Sequence, residues 1–487
     1  MATSPRRALV WSFAERYAGL MISIASAMVL SRLLTPTQVG IYSLCAAFTA
    51  VAGILRDFGV SEYLIQERDL TRDKIRAAYG IAFLIAWTIG AALFLARNEV
   101  ASFYAEPDVA RVMAVLAVNF AILPISSPAF ALLNRELAFR QIFFLLMSCN
   151  AAQAITSVTL AYLGFGVMSL AWGPIANVAT QSIILMWVRR KDAVVLPGLR
   201  EWRQVLRFGT MYVASRSIET LTRNFHEPVI AKTFNFAAVG LFSRAFGLIE
   251  LFHANIGMAV VRVATPAFAA EHRAGRSLVV PFARSTAIFV SVSWTFFGFV
   301  ALMAEPIIHL MFGAQWVPAA PIAVVLALSA LPQALFAFVP QLLSATGHVA
   351  QRLKVSLWFS PVHLVGVLIA SRFSLLAVAT VWIVSNSVML VLYLVQMCRV
   401  LEANLGELLW PCAASGAVAG ASIGVQFLAM LVLRHYHAPE FLTIAIVFSA
   451  GAAAWSCVAK ILRHPAHDEI VRALRSWRQR SMLVKSI

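Results

Sequence analysis

The sequence predicts an all-α polytopic membrane protein with about 14 transmembrane helices, built as two six-helix halves around a central cavity plus two C-terminal helices. Its 487 residues are 61% hydrophobic and 13% charged, with a mean hydropathy of +0.80. An ordinary soluble domain carries about 25% charged residues. Apolar segments follow one another almost without interruption from Trp11 to Lys460, and short patterns recur between the two parts of the chain.

A membrane span needs about 20 mostly apolar residues. On this criterion the predicted spans are 10–34, 39–61, 77–96, 112–133, 142–163, 167–188, 205–231, 238–264, 282–303, 319–344, 354–370, 375–397, 409–433 and 440–461. The seventh and eighth spans are the least hydrophobic, because each carries several charged residues.

Basic residues predict the orientation of the spans. The loops after even-numbered spans are rich in arginine and lysine, as at Arg72, Arg189 and Arg399, and the N-terminus carries Arg6 and Arg7. The positive-inside rule therefore places both termini in the cytoplasm. The formal net charge of +17 follows from this topology and from contact with anionic membrane lipids. No nucleic-acid partner is expected, since the sequence leaves no soluble domain to bind one.

An internal repeat divides the chain. Val39-Gly40-Ile41-Tyr42-Ser43 opens the second span, and Val239-Gly240-Leu241-Phe242-Ser243 opens the eighth, 200 residues later. Asn177 of the sixth span has a counterpart in Asn386 of the twelfth. The predicted organisation is an N-terminal six-helix half at 1–190, a basic cytoplasmic linker at 191–203, a C-terminal six-helix half at 204–400, two additional helices at 401–462 and a basic cytoplasmic tail at 463–487.

Charges inside the predicted spans cluster on the first, second, seventh and eighth. A charge at the bilayer centre costs at least about 2.5–3.5 kcal/mol, so such residues usually face a wet, protein-lined interior. On a helix advancing by about 100° per residue, Tyr212, Arg216, Glu219, Arg223 and Glu227 fall within roughly one third of the circumference. Their distribution predicts a polar cavity between matching halves of a transporter.

Several segments resemble, in order, the motifs of a known family. They are Ser31-Arg32-Leu33-Leu34-Thr35-Pro36 with Val39–Tyr42, Phe58-Gly59 with Leu64-Ile65-Gln66, Asn134–Arg140, and Val239–Ala245. The chain resembles the Wzx-type oligosaccharide flippases of the multidrug/oligosaccharidyl-lipid/polysaccharide exporter superfamily, in its exopolysaccharide and colanic-acid-type branch. Where many relatives have Asn-x-Asp in the seventh span, this chain has Asn224-Phe225-His226. The role of that Asp therefore passes to His226 or Glu227, or is absent here.

The resemblance implies a flippase of the bacterial inner membrane. Its substrate would be an undecaprenyl-(pyro)phosphate-linked oligosaccharide, moved by alternating access to the periplasmic leaflet for capsular, extracellular or O-antigen (lipopolysaccharide) synthesis. Other candidate partners are membrane lipids, a polysaccharide polymerase and a chain-length regulator, and the chain is expected to be a monomer. It is not expected to be an enzyme or to hold a cofactor or metal, and its five cysteines form no CxxC pair.

Arginine suits a phosphate group, because its planar fork donates paired, charge-assisted hydrogen bonds. The candidate substrate-binding residues are Arg216, Arg223, Arg244, Glu219, Tyr212, Arg56, Asp57 and Arg32, and the candidates for ion coupling are His226 and Glu227. Asn119 and Gln153 are further candidates for the sugar path.

A structural interpretation stands beside the functional one. Arg56 with Asp57, and Arg216 with Glu219, can pair simply to hold helices together, and His226 can be a packed, hydrogen-bonded core residue.

Two other function classes remain open. A cation-coupled multidrug exporter would favour uncompensated acids, whereas the seventh and eighth spans hold more arginines than glutamates. A membrane-embedded polysaccharide polymerase usually needs a sizeable outer loop, and the predicted outer loops are short. ATP-driven transport by this chain alone is excluded, since a Walker A motif needs Gly-Lys and no lysine here follows a glycine.

Overall fold

The computed structural model describes residues 5–67, 69–189, 197, 198, 200 and 202–469, with the backbone alone at 5–10, 204, 207, 208, 210–212, 214–216, 219, 256, 258, 259, 261–263 and 349. Within these residues the fold is helical and contains no β-strand, which confirms the predicted all-α class.

The chain forms two compact units, Met1–Ser243 and Arg244–Ile487. The first contains α1 (Pro5–Leu33), α2 (Pro36–Asp57), α3 (Val60–Gln66), α4 (Arg72–Tyr104), α5 (Pro107–Ile122), α6 (Ser127–Arg135), α7 (Phe139–Tyr162), α8 (Met168–Val188), α9 (Trp202–Asn224), α10 (His226–Thr233) and the start of α11 (Phe236–Phe252). The second contains the rest of α11, α12 (Met258–Arg273), α13 (Val279–Phe312), α14 (Ala320–Leu335), α15 (Val339–Ala345), α16 (Val349–Ala370), α17 (Leu375–Leu401), α18 (Leu405–His435) and α19 (Glu440–Ile461). The predicted linker at 191–203 lies largely outside the described residues, so the predicted domain boundaries stay a prediction.

Twelve of the described helical segments are long and apolar enough to cross a membrane, and each overlaps a predicted span. The chain is therefore a multi-pass membrane protein. The predicted span 167–188 coincides with α8, and the predicted span 205–231 coincides with α9 plus α10. Neither is as hydrophobic as the other twelve. Their polar and charged side chains are the reason. The predicted count of fourteen is accordingly not confirmed.

Helix α2 begins at a well-formed cap. Thr35 Oγ1 accepts a hydrogen bond from the backbone amide of Gln38 at 3.3 Å, and Gln38 Oε1 accepts one from the backbone amide of Thr35 at 3.0 Å. This reciprocal capping box satisfies two backbone donors that a helix leaves unpaired, and Pro36 suits the first helical turn because it lacks an amide proton. The Thr-Pro pair in the sequence therefore fixes where the second span starts.

Two corresponding spans are interrupted at similar places in the repeat. In the second span α2 stops at Asp57, and Phe58 (φ 40°) and Gly59 (φ 65°) turn the chain before α3 begins. In the eighth span a π-helical turn, His253–Gly257, separates α11 from α12. Single π turns inside helices occur frequently at functional sites. Broken membrane helices likewise mark substrate and ion sites in many transporters.

Small residues allow the helices to pack closely. In lipid, helix association depends on close packing and hydrogen bonds, because lipid tails are as apolar as the side chains themselves. Gly173 of α8 is an example, since a Cβ there would lie 2.1 Å from Ser157 Oγ and 3.3 Å from Gln153 Cγ of α7. This glycine lets α7 and α8 approach and brings Gln153 close to α8.

The start of the C-terminal tail is fixed to the second unit by His464. Its Nδ1 accepts a hydrogen bond from the Ala466 amide at 3.2 Å, so the ring proton is on Nε2, which lies 2.9 Å from Ser415 Oγ. Ser415 Oγ donates in turn to the Ala287 carbonyl at 2.8 Å. Burial lowers the pKa of His464 below its ordinary value, in agreement with a neutral ring.

Candidate substrate site

Arg56 and Asp57 lie at the end of α2, immediately before its break. Arg56 Nη2 is 2.7 Å from Asp57 Oδ1 and its Nε donates to the same oxygen at 3.1 Å. The Arg56 guanidinium also lies 5.3 Å from the centre of the Phe120 ring. Its side chain is 19% exposed and that of Asp57 is 47% exposed. The two predicted site residues therefore form an ion pair beside an aromatic ring, at a helix interruption inside a membrane span.

Helix α9 packs against this break. A Cβ on Gly209 would lie 2.0 Å from Phe58 Cδ1 and 2.3 Å from the Phe58 carbonyl oxygen, so only glycine permits the observed approach. Helix α9 carries four of the predicted site residues, and for three of them, Tyr212, Arg216 and Glu219, the structure describes the backbone alone. Their side chains lie outside the described residues. The adjacency of the second and seventh spans is thus observed, while the roles of these side chains stay a prediction.

A cavity of about 360 Å³ lies within the first unit, between α2, α5, α7 and α8. It is lined by Ala46, Thr49, Ala50, Arg56, Leu116, Asn119, Phe120, Gln153, Pro174, Asn177 and Val178. Among these lining residues Arg56 alone is charged, and the remaining polar groups are three amides and one hydroxyl. We refer to this space as the amide cavity. It brings Arg56, a predicted substrate-binding residue, together with Asn119 and Gln153, the predicted candidates for the sugar path.

Hydrogen bonds orient the polar groups of the amide cavity. Asn177 Nδ2 donates to Gln153 Oε1 at 3.0 Å, across the α7–α8 contact. Thr49 Oγ1 lies 3.1 Å from the Cys45 carbonyl of its own helix. Asn119 Oδ1 is buried and accepts no hydrogen bond from the described residues. Sequence analysis missed Asn177 and Thr49 as lining residues, although amides inside apolar spans are a signal that could have indicated Asn177.

Arg244 lies at the start of the second unit, where two aromatic rings surround it. Its guanidinium carbon is 5.3 Å from the centre of the Trp316 ring and 5.6 Å from that of Phe312. Cation–π contacts of this kind stabilise a desolvated arginine by up to about 2 kcal/mol. The guanidinium therefore has a structural partner, and its predicted contact with substrate stays a prediction.

The remaining predicted residues occupy the ends of α1, α9 and α10. Arg32 and Arg223 are exposed in the last turns of α1 and α9. One residue, Phe225, separates the two helices of the seventh span, since α9 ends at Asn224 and α10 begins at His226. His226 is 2% exposed and its ring centre lies 4.7 Å from that of Phe242, which agrees with a packed histidine. Coupling through His226 and Glu227 stays a prediction.

The two matching segments of the repeat meet inside the first unit. A Cβ on Gly40 of α2 would lie 1.8 Å from the Phe236 carbonyl oxygen, and a Cβ on Gly240 of α11 would lie 2.1 Å from the Pro36 carbonyl oxygen. Ser43 Oγ donates a hydrogen bond to Ser243 Oγ at 2.9 Å, although the two serines are 200 residues apart in the sequence. We call this arrangement the twin-glycine contact. Gly40 faces Phe236 in the first turn of α11, and Gly240 faces Pro36 in the first turn of α2, so the contact is close to symmetric.

These features define a class of protein, a multi-pass helical membrane protein with an internal repeat and with a helix break and a π-helical turn at corresponding places in two spans. Interrupted helices are found in many transporters. The chain belongs to the polysaccharide biosynthesis protein family, whose sequence model matches residues 29–321. That range includes the amide cavity and the twin-glycine contact.

The chain is similar to the lipopolysaccharide biosynthesis protein WzxC of Escherichia coli, with 22% identity over 63% of this chain and 63% of the relative. It is also similar to the succinoglycan biosynthesis transport protein ExoT of Rhizobium meliloti, with 23% identity over 67% of this chain and 66% of the relative. Each alignment thus spans slightly less than two thirds of the relative's length.

The fold is similar to that of the lipid II flippase MurJ in an inward closed conformation. The TM-score is 0.76, with 8% identity, over 93% of this chain and 98% of that one. At this identity the likeness shows a shared fold.

Proposed function

We propose that this protein moves a lipid-linked oligosaccharide, a glycan carried on undecaprenyl (pyro)phosphate, from the cytoplasmic to the periplasmic leaflet of the bacterial inner membrane. Family membership supports a role in polysaccharide biosynthesis. The names of WzxC and ExoT support lipopolysaccharide or exopolysaccharide synthesis and transport. The fold shared with a lipid II flippase supports a lipid-linked substrate.

The observation that carries the proposal is the twin-glycine contact. Transporters built from repeats alternate access by moving corresponding segments apart at one end of the path and together at the other. Here the helices that open the second and eighth spans touch through backbone at Gly40 and Gly240 and through one hydroxyl pair. A neutral hydrogen bond contributes about 0.5–1.5 kcal/mol net, so a contact held by one such bond can separate during a transport cycle.

The predicted orientation, with both termini in the cytoplasm, puts the twin-glycine contact at the periplasmic end of the path. The contact then closes that end, and the substrate enters from the cytoplasmic leaflet. The phosphate of the carrier binds arginines of the first, second, seventh and eighth spans, with Arg216, Arg223 and Arg244 as the first candidates. The excess of arginines over glutamates in the seventh and eighth spans favours an anionic substrate over a cationic drug.

A disulfide across the twin-glycine contact tests the proposal. Ser43→Cys with Ser243→Cys, in a variant without the five natural cysteines, should form a disulfide readily, because the two Oγ atoms are already 2.9 Å apart. Polymer export is measured in a strain that lacks its native flippase. The oxidised double variant should export no polymer, and reduction should restore export.

Each single cysteine variant serves as the control and should export under both conditions. Full export by the oxidised, fully cross-linked double variant would contradict alternating access through this contact. Failure of the cysteine-free parent to support export of any lipid-linked polymer would contradict the flippase function itself.

A further inference from the structure

The amide cavity of the first unit has a composition that suits a carbohydrate. We propose that it binds one sugar unit of the lipid-linked glycan during transport, through the hydroxyl or acetamido groups of the ring. This inference rests on the proposed function and adds a recognition site for the glycan to the phosphate site, whose first candidates are Arg216, Arg223 and Arg244.

The hydrogen-bonding groups of the cavity are both donors and acceptors. The bond from Asn177 Nδ2 to Gln153 Oε1 fixes which way each amide points. It leaves the Gln153 amide nitrogen as a donor and the Asn177 amide oxygen as an acceptor, and both residues line the cavity. A sugar hydroxyl can donate and accept at once, so it can bridge such a pair of groups.

The side-chain oxygen of Asn119 is a second, independent indication that the amide cavity holds a ligand. Its Oδ1 is buried yet receives no hydrogen bond from the residues that the structure describes. A buried acceptor without a donor is costly in a membrane interior, where no bulk water replaces the lost partner. The atom belongs to a residue that lines the amide cavity.

The size and charge of the cavity narrow the ligand class. Its volume of about 360 Å³ lies near the lower end of small-molecule sites, which are roughly 300–1,000 Å³, so it can hold one or two rings rather than a whole oligosaccharide. Arg56, the charged residue among those that line the cavity, is paired with Asp57, so its charge is compensated. The cavity thus fits a neutral or N-acetylated hexose and does not need an acidic one.

The repeat provides a comparison within the same chain. Asn386, the counterpart of Asn177, is 5% exposed and donates its amide to the Ser329 carbonyl at 2.9 Å inside the second unit. The same residue type is therefore used for packing in one half, whereas in the other half it lines a cavity. Asn386→Leu is for this reason a matched control for substitutions at Asn177.

Binding of defined lipid carriers to the purified full-length protein tests the inference. The probes are undecaprenyl pyrophosphate alone and the same carrier bearing one glucose, one galactose or one N-acetylglucosamine. We define the sugar preference as the Kd of the bare carrier divided by that of the best sugar-bearing carrier. One net hydrogen bond is worth about fivefold in affinity, so the wild-type sugar preference should be at least about fivefold.

The Gln153→Met/Asn177→Leu double variant should reduce the sugar preference to about one and leave the Kd of the bare carrier unchanged. Removing both partners of the amide pair with side chains of similar size limits the effect on packing. The Asn386→Leu control should keep the wild-type preference.

Three results would overturn this inference and leave the proposed function intact. They are a sugar preference that survives in the double variant, no sugar preference in the wild type, and an equal loss of the preference in Asn386→Leu. If neither the bare nor the sugar-bearing carriers bind, the proposed function falls together with it.

Discussion

Replacing Gly240 by alanine should force the twin-glycine contact open. The added methyl group would lie 2.1 Å from the carbonyl oxygen of Pro36 and 2.9 Å from its carbonyl carbon, against an ordinary contact distance of 3.4–4 Å. Both obstacles are backbone atoms, so no side-chain rotation removes the clash and the helices must separate. Overpacking of this kind costs about 1–3 kcal/mol. The ratio of closed to open protein should therefore fall by roughly 5- to 150-fold.

Labelling of a cysteine at position 43 measures this opening. Ser43 is 6% exposed in the closed contact, so Ser43→Cys in a cysteine-free variant should react slowly with a membrane-impermeant maleimide. Adding Gly240→Ala should raise the labelling rate at least about fivefold. The matched control is Gly247→Ala in the same helix, since a Cβ there meets nothing within 4 Å. Equal labelling rates in the Gly240→Ala and Gly247→Ala backgrounds would refute the steric argument.

Three further predictions follow from the charges. Arg216→Ala or Arg223→Ala should reduce polymer export about tenfold or more at normal protein levels, because a charge-assisted contact is worth roughly 1.5–3 kcal/mol, and lysine at the same position should restore export in part. Normal export by both alanine variants would show that these two arginines do not belong to the phosphate site. Reporter fusions at Gly275 and His437 should report cytoplasm and periplasm respectively, and the same side for both would contradict the predicted topology. The tail contact of His464 should persist above about pH 6.5 and weaken as the pH falls further, because the folded pKa of His464 is lowered and its ring must stay neutral. Hydrogen-exchange protection factors at 462–469 that stay constant over this pH range would contradict this.

The existence of most spans could be predicted because span formation depends on local properties. Length and apolar content are set within about 20 residues, and twelve predicted spans correspond to helices of that kind. The interruptions depend on tertiary context. Phe58 adopts a positive φ of 40°, which is uncommon for a bulky side chain, in the segment that packs against Gly209 of α9. No pattern around Phe58 in the sequence specifies that contact.

The components of the candidate site were partly predictable, whereas their grouping was not. Charged and amide side chains inside apolar spans are visible in the sequence, and Arg56, Asn119 and Gln153 were named for that reason. Which of them share a cavity depends on how α2, α5, α7 and α8 pack, which is fixed by contacts such as Gly173 with Ser157. Helical periodicity places a residue on a face of its own helix but does not identify the opposing helix.

The repeat explains why matching residues need not share a function. Gly40 and Gly240 keep the same role because they face each other, and a change at either one alters the same contact. Asn177 and Asn386 each form their hydrogen bond within their own unit. Asn386 is buried with its amide bonded to a helix carbonyl, while Asn177 bonds to another amide at the wall of a cavity. Movement in a transport cycle requires matched contacts between the repeated segments. Recognition of a glycan requires a site in one of them, and the amide cavity of the first unit is the site that we propose for it.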